Sequence, residues 1–239
     1  MKRNNPSFKY IFIIVSLVCL ISSSSFTGYI PATSSSGALF PNTSPVSSLP
    51  TISRFVNTLD LTTSETVTGI YIPNTFAYGV VQQPSDAPGF VSSDADVLTQ
   101  FGMAGSYGST GLLAHNHLAG FSFSSVQPGQ TIVAVHGNGS LEYFHVYAVE
   151  RYQALSPNSP YSYFRSLDNS SADISAAELF MHVYAQPGNL VLQTCIASGN
   201  EPSWGRLFIL AEPISEFVPL PVPAEPGCAG LPNLQLQFQ

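Results

Sequence analysis

Residues 189–211 read NLVLQTCIASGNEPSWGRLFILA, two apolar runs separated by a segment of Ser, Gly, Asn and Pro. The runs 189–195 and 207–211 are rich in residues that favour β-strands, and the segment between them is typical of a turn. Two antiparallel strands joined in this way would place Cys195, at the end of the first run, beside Arg206, just before the second. The stretch therefore predicts a β-hairpin that carries a thiol and a guanidinium near the same end of a sheet.

Further strand-like runs precede this hairpin. They are rich in Val, Ile, Tyr and Phe and are separated by turn signals such as Gln-Pro-Gly at 127–129 and Gly-Asn-Gly at 137–139. These runs are 66–73, 77–81, 110–115, 131–136 and 143–152. The composition agrees with a turn-rich β protein, because only 9% of the residues are charged while the chain holds 19 Pro and 18 Gly.

One segment has a different periodicity. Residues 171–186 (SADISAAELFMHVYAQ) carry apolar side chains at helical spacing, and Pro187 and Gly188 follow as helix breakers. Ser171 and Asp173 are the candidate capping residues at its start. We therefore expect a mainly β fold, a largely antiparallel barrel with one inserted helix.

The two ends of the chain differ from this middle part. Residues 1–28 resemble an export signal, with basic residues before the apolar run 10–21, and a run this short favours cleavage over an uncleaved membrane anchor, which needs about 20 apolar residues. Residues 29–62 are rich in Ser, Thr and Pro and predict a flexible spacer. Residues 63–213 would form the domain, and the Pro-rich segment 214–239 an extended tail. The expected location is the extracellular face of the membrane, or the medium after secretion.

The charge of the exported chain excludes some partners. Removal of the signal takes Lys2, Arg3 and Lys9 with it, which leaves 4 of the 7 basic residues against 14 acidic ones, a net charge of −10. So few cations cannot displace many phosphate counterions, and we predict no nucleic-acid binding. The sequence also lacks a metal-ligand cluster and a phosphate-binding glycine loop, so we expect neither a metal nor a cofactor.

Three cysteines occur, Cys19, Cys195 and Cys228. The residues before Cys19 lack the small side chain expected ahead of a lipidated cysteine. The other two permit a Cys195–Cys228 disulfide in an oxidising compartment. The alternative is that Cys195 is a nucleophile, which requires a base or an ion-pair partner and donors directed at the oxyanion. Arg206 suits the donor role because a guanidinium does not give up its proton.

The base must come from five histidines. His115 ends an apolar strand and opens a loop, but spacing alone does not choose between it and His117, two residues later. We expect His136 to be a solvated strand end and His145 a packed strand residue, and His182 should face solvent on the predicted helix.

Three motifs resemble those of sortases. Leu-Gln-Thr-Cys at 192–195 is similar to the family's T-L-x-T-C signature, and Trp-Gly-Arg-Leu-Phe-Ile at 204–209 resembles the strand that carries its essential arginine. Leu-Ala-His-Asn at 113–116 resembles its G-H loop, with alanine in place of the usual glycine. The resemblance covers about residues 62–213 and implies a closed eight-stranded sortase-type barrel. It also implies the site residues, namely Cys195 as nucleophile, His115 as acid/base, Arg206 as oxyanion or substrate stabiliser, and Thr194 and Asn116 as substrate contacts.

The resemblance implies a cysteine transpeptidase. Its partners would be surface proteins with a C-terminal sorting motif, joined through a thioacyl-enzyme to an amine acceptor on the cell wall or on another protein subunit. The chain would contact the membrane through its N-terminal segment if that segment is not cleaved. Two alternatives remain open: a non-catalytic sortase-like surface-binding module, which a Cys195–Cys228 disulfide would favour, and a secreted cysteine peptidase that transfers the acyl group to water.

Overall fold

The computed structural model describes residues 49–214. The predicted export signal (1–28), most of the predicted spacer and nearly all of the predicted tail lie outside the described residues. Within residues 49–214 we find no helix with the length and apolar character required to cross a membrane.

Ten strands form one sheet, and eight of them close into a barrel. The order around the ring is β10-β9-β4-β3-β2-β1-β5-β6, and pairing of β6 with β10 closes it. The strands are β1 (Val67–Ile72), β2 (Phe76–Gln82), β3 (Val97–Phe101), β4 (Thr110–Leu113), β5 (Thr131–His136), β6 (Leu141–Ala154), β7 (Tyr163–Ser166), β8 (Ile174–Ser175), β9 (Leu190–Ser198) and β10 (Glu201–Pro213). The prediction of a mainly β, closed eight-stranded barrel is confirmed by this ring.

Most strand pairs are antiparallel, as predicted; only β2–β3 and β4–β9 are parallel. Each of the seven predicted runs corresponds to a strand. The sequence prediction missed β3 and the short strands β7 and β8, which extend the sheet outward from β6.

Within residues 49–214 the helices are few and short. They are α1 (Ile52–Val56), α2 (Gly102–Gly105) and α3 (Ala176–Tyr184), with a 3-10 helix at Ala119–Ser125. The barrel interior is a cluster of apolar side chains to which all eight ring strands contribute. A second cluster lies on the outer face of β4, β9 and β10, where α3 covers the sheet. The core therefore has two layers, separated by the strands that carry the candidate site.

The predicted helix 171–186 is shorter than expected. Its N-cap is Ser175, whose hydroxyl accepts from the Glu178 backbone while the Glu178 carboxylate accepts from Ser175 in return. The candidate cap Asp173 instead forms an ion pair with Arg165 at 2.8 Å. The reciprocal cap sets the start of α3 because it satisfies two otherwise unpaired backbone donors, and it leaves Ile174 free to pair with β7.

Helix α1 lies within residues 29–62, the segment predicted as a spacer. Phe55 of α1 is buried, and its ring centroid lies 6.1 Å from that of Tyr71 on β1. Gly69 leaves space for this packing, because a Cβ there would lie 3.0 Å from Phe55 and 2.6 Å from Leu59. One aromatic side chain thus anchors this short helix to β1, and the boundary between spacer and domain remains a prediction.

Candidate active site

The hairpin of β9 and β10 brings Cys195 and Arg206 together. The two residues are direct partners in the antiparallel ladder. Their side chains therefore lie on the same face of the sheet, the outer face that also carries Phe208. The placement predicted for this pair from the hairpin is confirmed. Cys195 is 8% exposed, so a small part of it is open to solvent.

Arg206 is fully buried yet incompletely bonded. Its Nη1 donates to the carbonyl oxygens of Ser203 at 2.8 Å and Gly205 at 2.9 Å. Its Nε and Nη2 are buried without a hydrogen-bond partner in the described part of the chain. The guanidinium carbon lies 5.9 Å from the centroid of the Phe164 ring. Burial lowers the pKa of Arg206 to about 10, and the charge of Glu201 opposes this shift.

His115 approaches Cys195 from the strand on the other side of β9. Its predecessor Ala114 donates its backbone N–H to the Gln193 carbonyl at 3.2 Å and accepts from the Thr194 hydroxyl at 2.9 Å. β4 and β9 run parallel, and Leu113 pairs with Gln193. Two residues further along each strand direction, His115 and Cys195 therefore occupy neighbouring positions. The structure thus brings the three predicted reactive residues to one end of three adjacent strands.

The electrostatics of His115 favour the neutral imidazole. The side chain is buried, and burial lowers its pKa below the ordinary value of 6.5. The nearby His117, with its ring centroid 5.5 Å away, also lowers the pKa. A hydrogen bond to the backbone of Val91 partly opposes both effects by favouring the protonated form. Neutral histidine is the form that accepts a proton from a thiol.

The two remaining predicted site residues lie beside this trio. Asn116 donates its side-chain N–H to the Pro202 carbonyl at 3.2 Å and so ties the histidine loop to the start of β10. Thr194 is buried, and its hydroxyl donates a hydrogen bond to the Ala114 carbonyl. Their predicted role as substrate contacts remains a prediction.

The other histidines lie in different environments. His136 contacts the Glu65 carbonyl and the Glu142 carboxylate, and His182 on α3 lies 2.9 Å from Glu150. His145 is exposed, so its predicted packing is wrong: the strand alternates, and its neighbours Phe144 and Val146 take the inward positions.

Cys195 is disulfide-bonded in this structure. A disulfide at Cys195 is one of the two states that the sequence left open; Cys228, the partner considered there, is not among residues 49–214. Any chemistry of the Cys195 thiol therefore requires prior reduction of this bond.

Two contributors to the site escaped the sequence prediction. The backbone of Val91 raises the pKa of His115, and no side-chain pattern signals a backbone interaction from a distant loop. Tyr184 of α3 donates its hydroxyl to the Gln193 side chain, two residues before Cys195. The helical periodicity placed Tyr184 on the buried face without indicating its polar partner. Among the described residues, no group of three potential metal ligands is present.

Comparison with known proteins gives structural likeness only. No protein-family model matches the chain, and no curated protein matches it. Among solved structures it is similar to sortase C1 of Streptococcus suis, with 16% identity and a TM-score of 0.43 over 70% of this chain and 79% of that one. It is similar to sortase A of Listeria monocytogenes, with 13% identity and a TM-score of 0.39 over 62% of this chain and 87% of that one.

A third similar structure is Clostridium perfringens sortase C with the C-terminal cell wall sorting motif. The identity is 14% and the TM-score 0.36, over 64% of this chain and 73% of that one. The solved structures named here are all sortases, at low identity to this chain.

Proposed function

We propose that this chain is a sortase-like cysteine transpeptidase of the cell surface. Reduced Cys195 attacks the carbonyl of a peptide bond in a sorting motif, Arg206 stabilises the oxyanion, and His115 transfers the proton. The observation that carries the proposal is Arg206, a buried cation with two unpaired donors directly across the ladder from Cys195.

A buried, incompletely bonded guanidinium is costly to the folded protein. Desolvating a charge is unfavourable by several kcal/mol unless hydrogen bonds and an opposite charge compensate. No side chain of residues 49–214 forms an ion pair with Arg206. The negative charge that develops on a carbonyl oxygen during thiolate attack would supply the missing partner. Donors positioned in advance for such an oxygen are the main source of rate enhancement in acyl transfer.

The proposed reaction balances in two steps. His115 takes the proton of the Cys195 thiol, the thiolate forms a C–S bond to the peptide carbonyl carbon, and the C–N bond breaks as the leaving amine receives the proton from His115. An incoming amine then attacks the thioester and forms a new C–N bond while His115 takes the proton that this amine loses. The C–S bond breaks, and the Cys195 sulfur leaves as a thiolate that recovers the proton from His115. The lowered pKa keeps His115 in the neutral form, which is the form that accepts a proton in the first of these transfers.

The disulfide at Cys195 sets the condition for this activity. Two electrons from a dithiol reductant would convert it to two thiols, with oxidation of the reductant to its own disulfide. We therefore propose that the reduced form is the active one. In the proposed function the partners are surface proteins with a sorting motif and an amine acceptor on the wall or on another protein.

Product analysis tests the proposal. Protein pretreated with a dithiol is incubated with a panel of sorting-motif peptides, with and without an added amine. The expected result is an amide product that needs the amine and is lost in Cys195→Ala. Arg206→Lys should lower kcat/KM by about 100-fold or more, since a single lost oxyanion donor costs about 10² to 10³. The matched control is Arg151→Lys, because that arginine is paired with Asp168 on the surface.

A second candidate function is a non-catalytic surface-binding module. The disulfide at Cys195 favours it, because a bonded sulfur is not a nucleophile. This candidate predicts peptide binding without turnover in both the oxidised and the reduced protein. Hydrolysis that is unaffected by the added amine would instead indicate a cysteine peptidase.

A further inference from the structure

The loop that presents His115 is fixed through its own backbone. The carbonyl oxygen of His115 accepts from the backbone N–H groups of Leu118 and Gly120, each at 3.0 Å. These bonds fold residues 115–120 into a tight turn that leads into the 3-10 helix Ala119–Ser125. The position of the imidazole therefore depends on where Gly120 lies.

Gly120 lies where no side chain fits. A Cβ on Gly120 would overlap the Thr194 hydroxyl oxygen and would lie 2.8 Å from the His115 carbonyl oxygen and 2.9 Å from the Thr194 Cβ. Contacts below 3.0 Å force the backbone or its neighbours to move. The absence of a side chain is thus required by the close approach of this loop to β9.

Thr194 completes the contact from the strand side. It is 2% exposed, and its hydroxyl donates to the Ala114 carbonyl at 2.9 Å. Side chains alternate along a strand, so Thr194 faces the barrel interior with Leu192 while Cys195 faces outward. One side of Thr194 therefore holds the residue before His115, and the other packs against Gly120.

We infer that Gly120 and Thr194 are positioning residues that fix His115 beside Cys195, and that Thr194 acts through this loop rather than by contact with substrate. The inference rests on the proposed function for its catalytic meaning. Its structural part concerns the environment of His115 and can be measured without turnover.

A displaced loop would change the titration of His115. Burial and His117 lower the pKa of His115, and the Val91 backbone bond partly opposes them. The ionisable groups on β9 and β10 are the thiol of reduced Cys195, Glu201, Arg206 and Glu212. Moving the ring toward water removes part of the desolvation, so the pKa should rise toward 6.5. A merely structural change elsewhere in the barrel would leave this pKa unchanged.

The test compares Gly120→Ala with Gly105→Ala in the full chain. Gly105 is the matched control because nothing lies within 4 Å of a Cβ built there. The ring of His115 is titrated by NMR, with its signal assigned from a His115→Gln variant, and melting temperatures verify that each variant is folded. We expect Gly120→Ala to raise the His115 pKa and to lower kcat/KM by about 10- to 100-fold, and Gly105→Ala to change neither.

The double variant Gly120→Ala/Thr194→Ala tests the contact itself. Removing the Thr194 hydroxyl relieves the overlap, so the pKa of His115 in the double variant should lie between those of Gly120→Ala and the parent. The effects of the two substitutions on this pKa should therefore be non-additive. A folded Gly120→Ala protein whose His115 titrates as in the parent would overturn the inference. Absence of turnover in the parent would count against the proposed function alone, because the titration still decides the role of Gly120.

Discussion

At the scale of single residues, Arg206 stands out because its environment does not serve stability. It has no exposed surface, and two of its donors lack a partner within the described chain. The carbonyl bonds of Nη1 and the ring of Phe164 compensate only part of the desolvation. Perturbed groups of this kind are concentrated at functional sites.

Arg206→Met should therefore stabilise the protein while removing its activity. Replacing a buried unpaired cation with an apolar side chain of similar length should raise the free energy of unfolding by about 1 to 3 kcal/mol, even after loss of the two carbonyl bonds. Urea unfolding of the reduced protein measures this change. Arg165→Met is the control, since its ion pair with Asp173 is exposed to solvent and contributes little to stability. A clear loss of stability in Arg206→Met would show that contacts within the folded protein offset the cost of burying the Arg206 charge.

The sequence predicted part of this site. The turn between two apolar runs was enough to place Cys195 opposite Arg206, because ladder register follows from hairpin geometry. The contact of His115 with Val91 was not predictable, since any residue offers a backbone carbonyl. The state of the Cys195 sulfur was also left open, because counting cysteines permits a disulfide without requiring one.

At the scale of elements, α3 and β9 are joined by a buried polar contact. The Tyr184 hydroxyl donates to the side-chain oxygen of Gln193 at 2.5 Å, and both side chains are almost fully buried. Burial raises the pKa of Tyr184 far above its ordinary range, so the hydroxyl remains a donor. The contact holds the helix against the strand two residues before Cys195.

Tyr184→Phe should weaken this junction. It leaves a buried amide oxygen without its donor, at a cost of about 1 to 3 kcal/mol in the free energy of unfolding. Chemical denaturation measures the cost, and Tyr163→Phe on the exposed face of β7 should change stability by less than about 0.5 kcal/mol. Equal, small effects in both variants would mean that the Gln193 bond contributes little.

The elements themselves were predicted unevenly. Apolar, β-rich runs bounded by turns were recognised because their signal is local. The start of α3 was missed because two serines and an aspartate compete as caps, and only the reciprocal bond with Glu178 decides for Ser175. The short strand β3 follows the Asp-Ala-Asp segment at 94–96 and was missed because acidic residues suggest a turn.

At the scale of the whole molecule, closure of the barrel depends on strands that are distant in sequence. β4 pairs with β9 and β6 with β10. The first of these pairings brings His115 to the hairpin that carries Cys195 and Arg206. Helix α1 packs on the outside of β1, in a segment whose composition predicted a spacer. Composition reports average polarity and cannot register a single buried aromatic residue.

Phe55→Ala tests whether α1 belongs to the domain. Removal of a buried phenylalanine ring should lower the free energy of unfolding by about 3 to 5 kcal/mol. Arg54→Ala on the same helix is the control and should be near neutral, because Arg54 is exposed and its cap uses the backbone N–H. A loss below about 1 kcal/mol for Phe55→Ala would indicate that α1 is part of the spacer and not of the folded domain.

The central claim is that reduced Cys195 forms a thioacyl-enzyme, and intact-mass spectrometry tests it most directly. The full chain is reduced with a dithiol, incubated with each peptide of a sorting-motif panel and analysed before and after hydroxylamine, which cleaves thioesters. We expect a hydroxylamine-sensitive mass increase that maps to Cys195 and is missing in Cys195→Ala. Reduced protein whose Cys195 is alkylated by iodoacetamide but gains no acyl group from any peptide would contradict it.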